Sequence, residues 1–158
     1  MSRQADVRQW FIRLGTAILL LHTISPTLLE GAPPEEKRLT IEGRVLCVDA
    51  QGSRVSCGTD PQQFALETDQ GDFYLFSPKD PLANLFKDSR VRQRRFRVKV
   101  WTRNDRYVDI VKIYSIKHGQ LYDIYFYCPT CNIRSYEAGD CWCCHQPYEL
   151  REVPVKDE

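Results

Sequence analysis

Residues 128–144 read CPTCNIRSYEAGDCWCC and contain two pairs of cysteines in the spacing C-x2-C-x9-C-x2-C. The pairs are Cys128 with Cys131 and Cys141 with Cys144. Two such pairs on neighbouring turns can bring four thiolates to the corners of a tetrahedron, which is the arrangement of a closed zinc or iron site. We therefore predict a metal site in a small C-terminal lobe, with these four cysteines as its ligands.

Both cysteine pairs resemble the knuckles of zinc ribbons and rubredoxins, in which the pattern Cys-Pro-x-Cys-Gly occurs twice. In the first knuckle Asn132 replaces the glycine, and asparagine tolerates the left-handed backbone conformation of that position. The second knuckle departs further, and Cys143 or His145 is an alternative to Cys144 as the fourth ligand. Zinc is the metal that we expect; four thiolates also suit iron, and the extra cysteine and histidine would suit copper(I).

The same cysteines have other interpretations. Two disulfides would satisfy them in an exported protein, because oxidising compartments disfavour free thiols. A thioredoxin-like redox pair at Cys128 and Cys131 is disfavoured, because a second knuckle follows where that chemistry uses the start of a helix. A closed site with four ligands leaves no open position for chemistry. Since the sequence also contains no P-loop, dinucleotide motif or catalytic triad, we predict that the protein is not an enzyme.

Upstream of the cysteines, apolar and polar residues alternate from Leu39 onwards, as expected of half-buried strands. Asp80-Pro81 supplies a cap and a first-turn proline for one short helix. If residues 54–57 and 64–68 form one interrupted strand, the order of elements along the body is three strands, a helix and two strands. That order resembles the OB-fold, a small five-stranded Greek-key barrel. The alternatives are an SH3-like barrel and an open antiparallel sheet with a helix.

The chain as a whole is predicted to be mainly β. We expect a signal or membrane-anchor segment with its linker at 1–34, an OB-like antiparallel barrel at 38–120 and a zinc-ribbon-like lobe at 121–152. This arrangement resembles uncharacterised small exported proteins of bacteria. In those proteins, strands such as Leu121-Tyr122-Asp123 and Glu149-Leu150-Arg151 enter and close the cysteine lobe. The resemblance implies an architecture and no activity.

Three arginines precede an apolar segment at 14–29, and this pattern is typical of a secretory signal or a signal anchor. The segment is shorter than the roughly 20 residues of a membrane-spanning helix. The arginines would leave the body of the protein outside the cytoplasm. We expect a membrane-anchored or secreted protein, with the membrane as a partner through this segment. The alternative is an apolar N-terminal helix in a cytoplasmic protein.

Two further cysteines, Cys47 and Cys57, lie in the predicted barrel. A turn at 51–53 would set them opposite each other on neighbouring strands, where an exported protein would form a disulfide between them. The alternative is a pair of small buried apolar residues.

The segment 87–106 carries nine basic residues and only two acidic ones, although the net charge of the chain is +1. Arg92, Arg94 and Arg97, with Trp101, are the candidates for an anion-binding face. On an OB-like barrel such a face can bind single-stranded nucleic acid, whose bases stack on aromatic side chains. A solvated strand face is the simpler interpretation, and anionic lipids or cell-wall polymers suit an exported protein better. Nucleic acid is therefore not an expected partner.

Overall fold

Nine strands and two short helices form the part of the chain that the computed structural model describes, which is residues 37–58, 63–102 and 106–156. The helices are a 3₁₀ helix, Pro81–Lys87, and α1, Ser89–Arg92. The strands are β1 (Lys37–Val48), β2 (Arg54–Val55), β3 (Gln63–Thr68), β4 (Phe73–Phe76), β5 (Arg95–Thr102), β6 (Tyr107–Lys117), β7 (Gln120–Cys128), β8 (Ile133–Ser135) and β9 (Glu149–Pro154).

Five of the strands form a closed ring of hydrogen-bonded pairs. The long strand β1 pairs with β3 through residues 43–48 and with β5 through residues 37–44, in both cases antiparallel. From β3 the ring continues to β4, from β4 to β6 by a parallel pairing, and from β6 back to β5. The prediction of a mainly β protein is therefore confirmed.

Gly43 lies where β1 passes from one partner strand to the other, since it pairs with Thr68 of β3 and with Phe96 of β5. A Cβ atom at this position would overlap the backbone carbonyl of Glu67 and would lie 2.7 Å from Cδ2 of Leu66. The close approach of three strands at this point therefore requires glycine.

The core fills the ring with the inward residues of each strand. Along β5 the buried residues Phe96, Val98 and Val100 alternate with half-buried ones, as the period of two predicts. The 3₁₀ helix covers the core with Phe86, whose ring stacks on Phe76 with centroids 5.4 Å apart. These helix residues therefore belong to the same core as the strands.

The helical segment differs from the single helix that the sequence predicts. Asp80 caps the 3₁₀ helix, its carboxylate accepting a hydrogen bond from the backbone N–H of Leu82. Asp88 then caps α1 through the N–H of Arg90. Because the extended backbone of Asp88 interrupts the helical hydrogen bonds, two short helices form instead of one.

The prediction that residues 54–57 and 64–68 form one interrupted strand is wrong. β2 and β3 lie on opposite edges of β1: Cys47 pairs with Val55 on one side and with Phe64 on the other. Of these two strands, β3 belongs to the ring. β2 has two residues and lies outside the ring.

Strand β7 connects the ring to the C-terminal lobe. Residues 120–123 of β7 pair with β6, residues 126–128 pair with β8, and residues 122–127 pair with β9. The ring and the lobe belong to one compact unit.

Glu152 on β9 joins the lobe to the ring by charge. Its carboxylate accepts hydrogen bonds from Arg94, at 2.9 and 3.0 Å, and from Oγ of Ser115, at 2.6 Å. Nζ of Lys117 lies 2.6 Å away, and the side chain of Glu152 is only 9% exposed. Burial alone would raise the pKa of this carboxyl, but Arg94, Lys117 and Ser115 stabilise its charged form and lower the pKa to about 2.

The predicted signal or anchor segment at 1–34 lies outside the described residues. Within the ranges that the structure describes, no helix is long and apolar enough to cross a membrane.

Candidate metal centre

The sulfur atoms of Cys128, Cys131, Cys141 and Cys144 form one group in which all lie within 4.8 Å of one another. The sulfurs of Cys128 and Cys144 are 3.4 Å apart. A tetrahedral zinc site with Zn–S bonds of about 2.3 Å requires sulfur separations of about 3.8 Å. The group therefore has the dimensions of a tetrathiolate metal site, and the prediction that these four cysteines come together is confirmed.

The first cysteine of each pair provides the buried half of the group. Cys128 ends β7 and Cys141 begins the second knuckle, and both are fully buried, whereas Cys131 and Cys144 are partly exposed. The group is thus anchored by the sheet on one side and open towards solvent on the other.

Backbone N–H groups point at the sulfur of the first cysteine in each knuckle. Sγ of Cys128 accepts from the N–H of Cys131, at 3.4 Å, and from that of Thr130. Sγ of Cys141 accepts from the N–H groups of Cys144 and Cys143. Such hydrogen bonds stabilise a thiolate, which is the form that binds metal.

Burial and hydrogen bonds shift the pKa values of Cys128, Cys131 and Cys141 in different directions. Burial raises the pKa of Cys128, and hydrogen bonds to the thiols of Cys143 and Cys144 raise that of Cys131. Burial opposes ionisation of Cys141 as well, but the N–H groups of Cys144 and Cys143 outweigh it and lower the pKa to about 6.

The two alternative ligands stand outside the group of four. Cys143 and His145 are both exposed, and the Cys143 thiol contacts the group only through its hydrogen bond with Cys131. His145 adopts a left-handed backbone with φ of 57°, and its N–H donates to the carbonyl of Cys141, at 2.8 Å. The residue thus closes the turn of the knuckle, a role that its position in the motif assigns to glycine.

Tyr148 was not identified from the sequence. It packs against the core next to β9, and its side chain hydrogen-bonds with the thiol of Cys141. Burial and the neighbouring sulfur raise the pKa of this tyrosine, so its hydroxyl stays protonated and donates to the thiolate. No local pattern marks such a contact, since it depends on how β9 returns to the knuckle.

Cys47 and Cys57 form a disulfide, with Cα atoms 5.2 Å apart. The register differs from the expected one, because Cys47 is paired with Val55 and Cys57 follows the end of β2. The disulfide closes the loop between them against β1.

Arg92, Arg94 and Arg97 each bind a different partner within the protein. Arg92 donates to two backbone carbonyls of the helical segment, Arg94 binds Glu152, and Nε of Arg97 lies 2.6 Å from Glu42. The structure therefore does not bring these three predicted residues together as one anion site.

No protein-family model, no curated protein and no solved structure gives a significant match to this chain.

Proposed function

We propose that the protein is a non-enzymatic binding protein, built from an OB-like barrel and a zinc-ribbon-like lobe that a structural zinc ion holds together. The observation that carries the proposal is the group of four thiols within 4.8 Å of one another. The zinc-ribbon assignment is supported by the two knuckles, each with backbone N–H groups aimed at its first sulfur and a left-handed residue after its second cysteine.

A structural role suits the site because its four thiolates complete the tetrahedral coordination of zinc. Two of the four sulfurs are fully buried. Without a metal, ionised thiols in this group would repel one another, which would destabilise the lobe. The lobe is small: β8 has three residues and β9 six. Lobes of this size usually need a metal or disulfides to fold.

The OB-like assignment rests on topology. The ring runs β1-β3-β4-β6-β5 and returns to β1, with the helical segment between the third and fourth ring strands in chain order. A ring of five strands, in which β1 is shared between two partners and the pairing of β4 with β6 is parallel, supports this proposal, because the OB-fold is a five-stranded Greek key.

We further propose that the body lies outside the cytoplasm, exported or anchored by its N-terminal segment. The disulfide between Cys47 and Cys57 supports this compartment, because such bonds persist where the environment is oxidising. Bound metal would also explain how the four thiols of the lobe stay reduced there. A fusion of alkaline phosphatase to the C-terminus of the full chain tests the compartment, since that enzyme folds only after export; an inactive fusion would place the body in the cytoplasm.

A metal-handling or electron-transfer role, with iron or copper at the same cysteines, is the second candidate. The exposed thiol of Cys143 beside the ligand Cys131 favours it, because a fifth thiol provides a route for exchanging a metal ion.

Cobalt substitution separates these proposals and identifies the ligands. We expect one Co²⁺ per chain, with the intense absorption of a tetrahedral tetrathiolate site. Cys144→Ser should lose the tetrathiolate spectrum, and the matched variant Cys143→Ser should keep it. A protein that purifies with iron or copper at the site would instead support the second candidate, and a loss of the spectrum in Cys143→Ser would make that residue the fourth ligand.

A further inference from the structure

A groove on the outer face of the ring contains two neighbouring exposed apolar residues. Trp101, at the end of β5, is 36% exposed, and Val111 on β6 is 48% exposed. The side chains of Phe96, Val98 and Val100 occupy the inward positions of β5, so the alternation of the strand turns Trp101 outwards.

A β-bulge places Val111 beside the tryptophan. Lys99 pairs with Lys112, but the next residue, Val100, pairs with Ile110, so Val111 is an extra residue in β6. Ile110 and Ile113 are buried, and the two residues between them, Val111 and Lys112, lie on the outer face because of the bulge. Bulges often direct a side chain towards a functional surface.

Two cavities share the exposed pair in their walls. The larger, of about 560 Å³, is lined by Pro81, Leu82 and Ile110 together with the pair; the smaller, of about 250 Å³, adds Leu39. Because Trp101 and Val111 line both cavities, the cavities adjoin at this pair and are described together as one groove. Its size and its mainly apolar walls are those of ligand sites in proteins.

Basic side chains line both cavities, and two aspartates line the larger one. The guanidinium of Arg38 lies 5.1 Å from the centroid of the Trp101 ring and lines the smaller cavity, while Lys79 lines the larger. Within the described ranges neither side chain forms an ion pair. The carboxylate of Asp80 at the floor is already bound by the N–H groups of Leu82 and Ile110, at 2.9 and 2.5 Å.

We propose that this groove binds an amphiphilic organic anion, with its apolar body against Trp101 and Val111 and its anionic group on the guanidinium of Arg38. The indole holds that guanidinium in place while its N–H groups remain available for a bidentate contact with a carboxylate or phosphate. This inference deepens the binding role proposed above by assigning a ligand class to the barrel.

The groove suits a single anionic group better than a nucleic-acid strand. Asp80 and Asp109 both line the larger cavity, where they would face the phosphates of a polyanion. Arg94 and Arg97, which would extend a basic track along the sheet, are bound to Glu152 and Glu42.

The sequence has three tryptophans. The test uses the full chain with Trp10→Phe and Trp142→Phe, so that Trp101 is the remaining tryptophan. Its fluorescence is titrated with three probes that share an apolar body: 4-phenylbutyrate, 4-phenylbutanol and 4-phenylbutylamine. We expect 4-phenylbutyrate to bind about tenfold more tightly than the amine, the effect of one charge-assisted contact. Arg38→Gln should abolish this preference, and Val111→Glu should reverse it.

Arg44→Gln is the matched control, because Arg44 is an exposed arginine on the same strand that does not line the groove. Equal affinity for the three probes, the absence of saturable binding, or the same effect from Arg44→Gln would overturn the proposal. Tight binding of a thymidine oligomer in place of 4-phenylbutyrate would assign the groove to nucleic acid and overturn it as well. Zinc content measured on the same samples reports separately on the metal proposal.

Discussion

Asn132 and His145 occupy equivalent positions in the two knuckles, with φ angles of 56° and 57°. Each follows the second cysteine of its pair, where the chain must adopt the left-handed conformation. The two knuckles therefore share one backbone turn, although their sequences differ in the spacer and in the residue after it. This equivalence indicates that Cys144 is the counterpart of Cys131.

We predict that His145→Gly keeps the metal and stabilises the protein. Glycine removes the cost of a left-handed residue with a Cβ atom, about 1 kcal/mol. The free energy of unfolding from urea titration of the metal-loaded protein measures the gain. The matched change Asn132→Gly should gain less, because it loses the hydrogen bond of 2.7 Å from the hydroxyl of Tyr127. Loss of metal from His145→Gly would show that the imidazole is a ligand.

Glu152→Gln should destabilise the protein by about 2 kcal/mol, because Arg94 and Lys117 lose the charge between them. Glu149→Gln on the same strand is the control, since Glu149 is exposed and, among the described residues, its ion pair is with Arg151. Its effect should stay below about 0.5 kcal/mol. Equal effects of the two variants on the free energy of unfolding would contradict the role of Glu152.

The lowered pKa of the Glu152 carboxyl predicts that the stability of the protein depends on pH. Its pKa in the folded protein, about 2, lies below the ordinary value of 4.5. The unfolded chain therefore binds the proton more readily, and the stabilisation is complete above about pH 4.5 and is lost as the pH falls towards 2. Urea titrations across this range should show a loss in the native protein that is smaller in Glu152→Gln, where the other carboxyls with lowered pKa values, Asp69 and Asp88, remain.

Gly43→Ala should prevent or severely impair folding, at a cost of several kcal/mol, because the new methyl group overlaps the carbonyl of Glu67. Gly71→Ala is a contrasting change. It lies in a turn with open space around its Cβ position, so its cost of about 1 kcal/mol arises from its φ of 87° alone. Thermal unfolding of the two variants compares them, and a fully stable Gly43→Ala protein would contradict the close approach at β1.

Removal of the disulfide by Cys47→Ala with Cys57→Ala should lower the stability by about 2–3 kcal/mol, the chain-entropy value for a short loop. A reducing agent should destabilise the native protein by a similar amount and leave the double variant unchanged. A double variant as stable as the native protein would show that the bond adds nothing to folding.

Local patterns in the sequence predict much of this molecule. The alternation of Phe96, Val98 and Val100 identifies a strand and its buried face, and the spacing of the four cysteines identifies the group of thiols that comes together. In both cases the information lies within a few residues, where the geometry of a strand or a turn determines which side chains meet.

Long-range pairing could not be predicted in this way. Nothing local shows that β2 and β3 take opposite edges of β1. The acidic partners of Arg94 and Arg97 lie 58 and 55 residues away along the chain. A count of charges within the segment 87–106 therefore shows an excess of basic residues and misses these ion pairs. The contact between Tyr148 and Cys141 likewise depends on the return of β9.

Elemental mass spectrometry and thiol counting on the full chain test whether the four cysteines hold a structural zinc ion. We expect about one zinc per chain, with the four knuckle thiols protected until a chelator is added and Cys143 reactive throughout. A protein without metal, in which the knuckle cysteines form disulfides, would contradict the account.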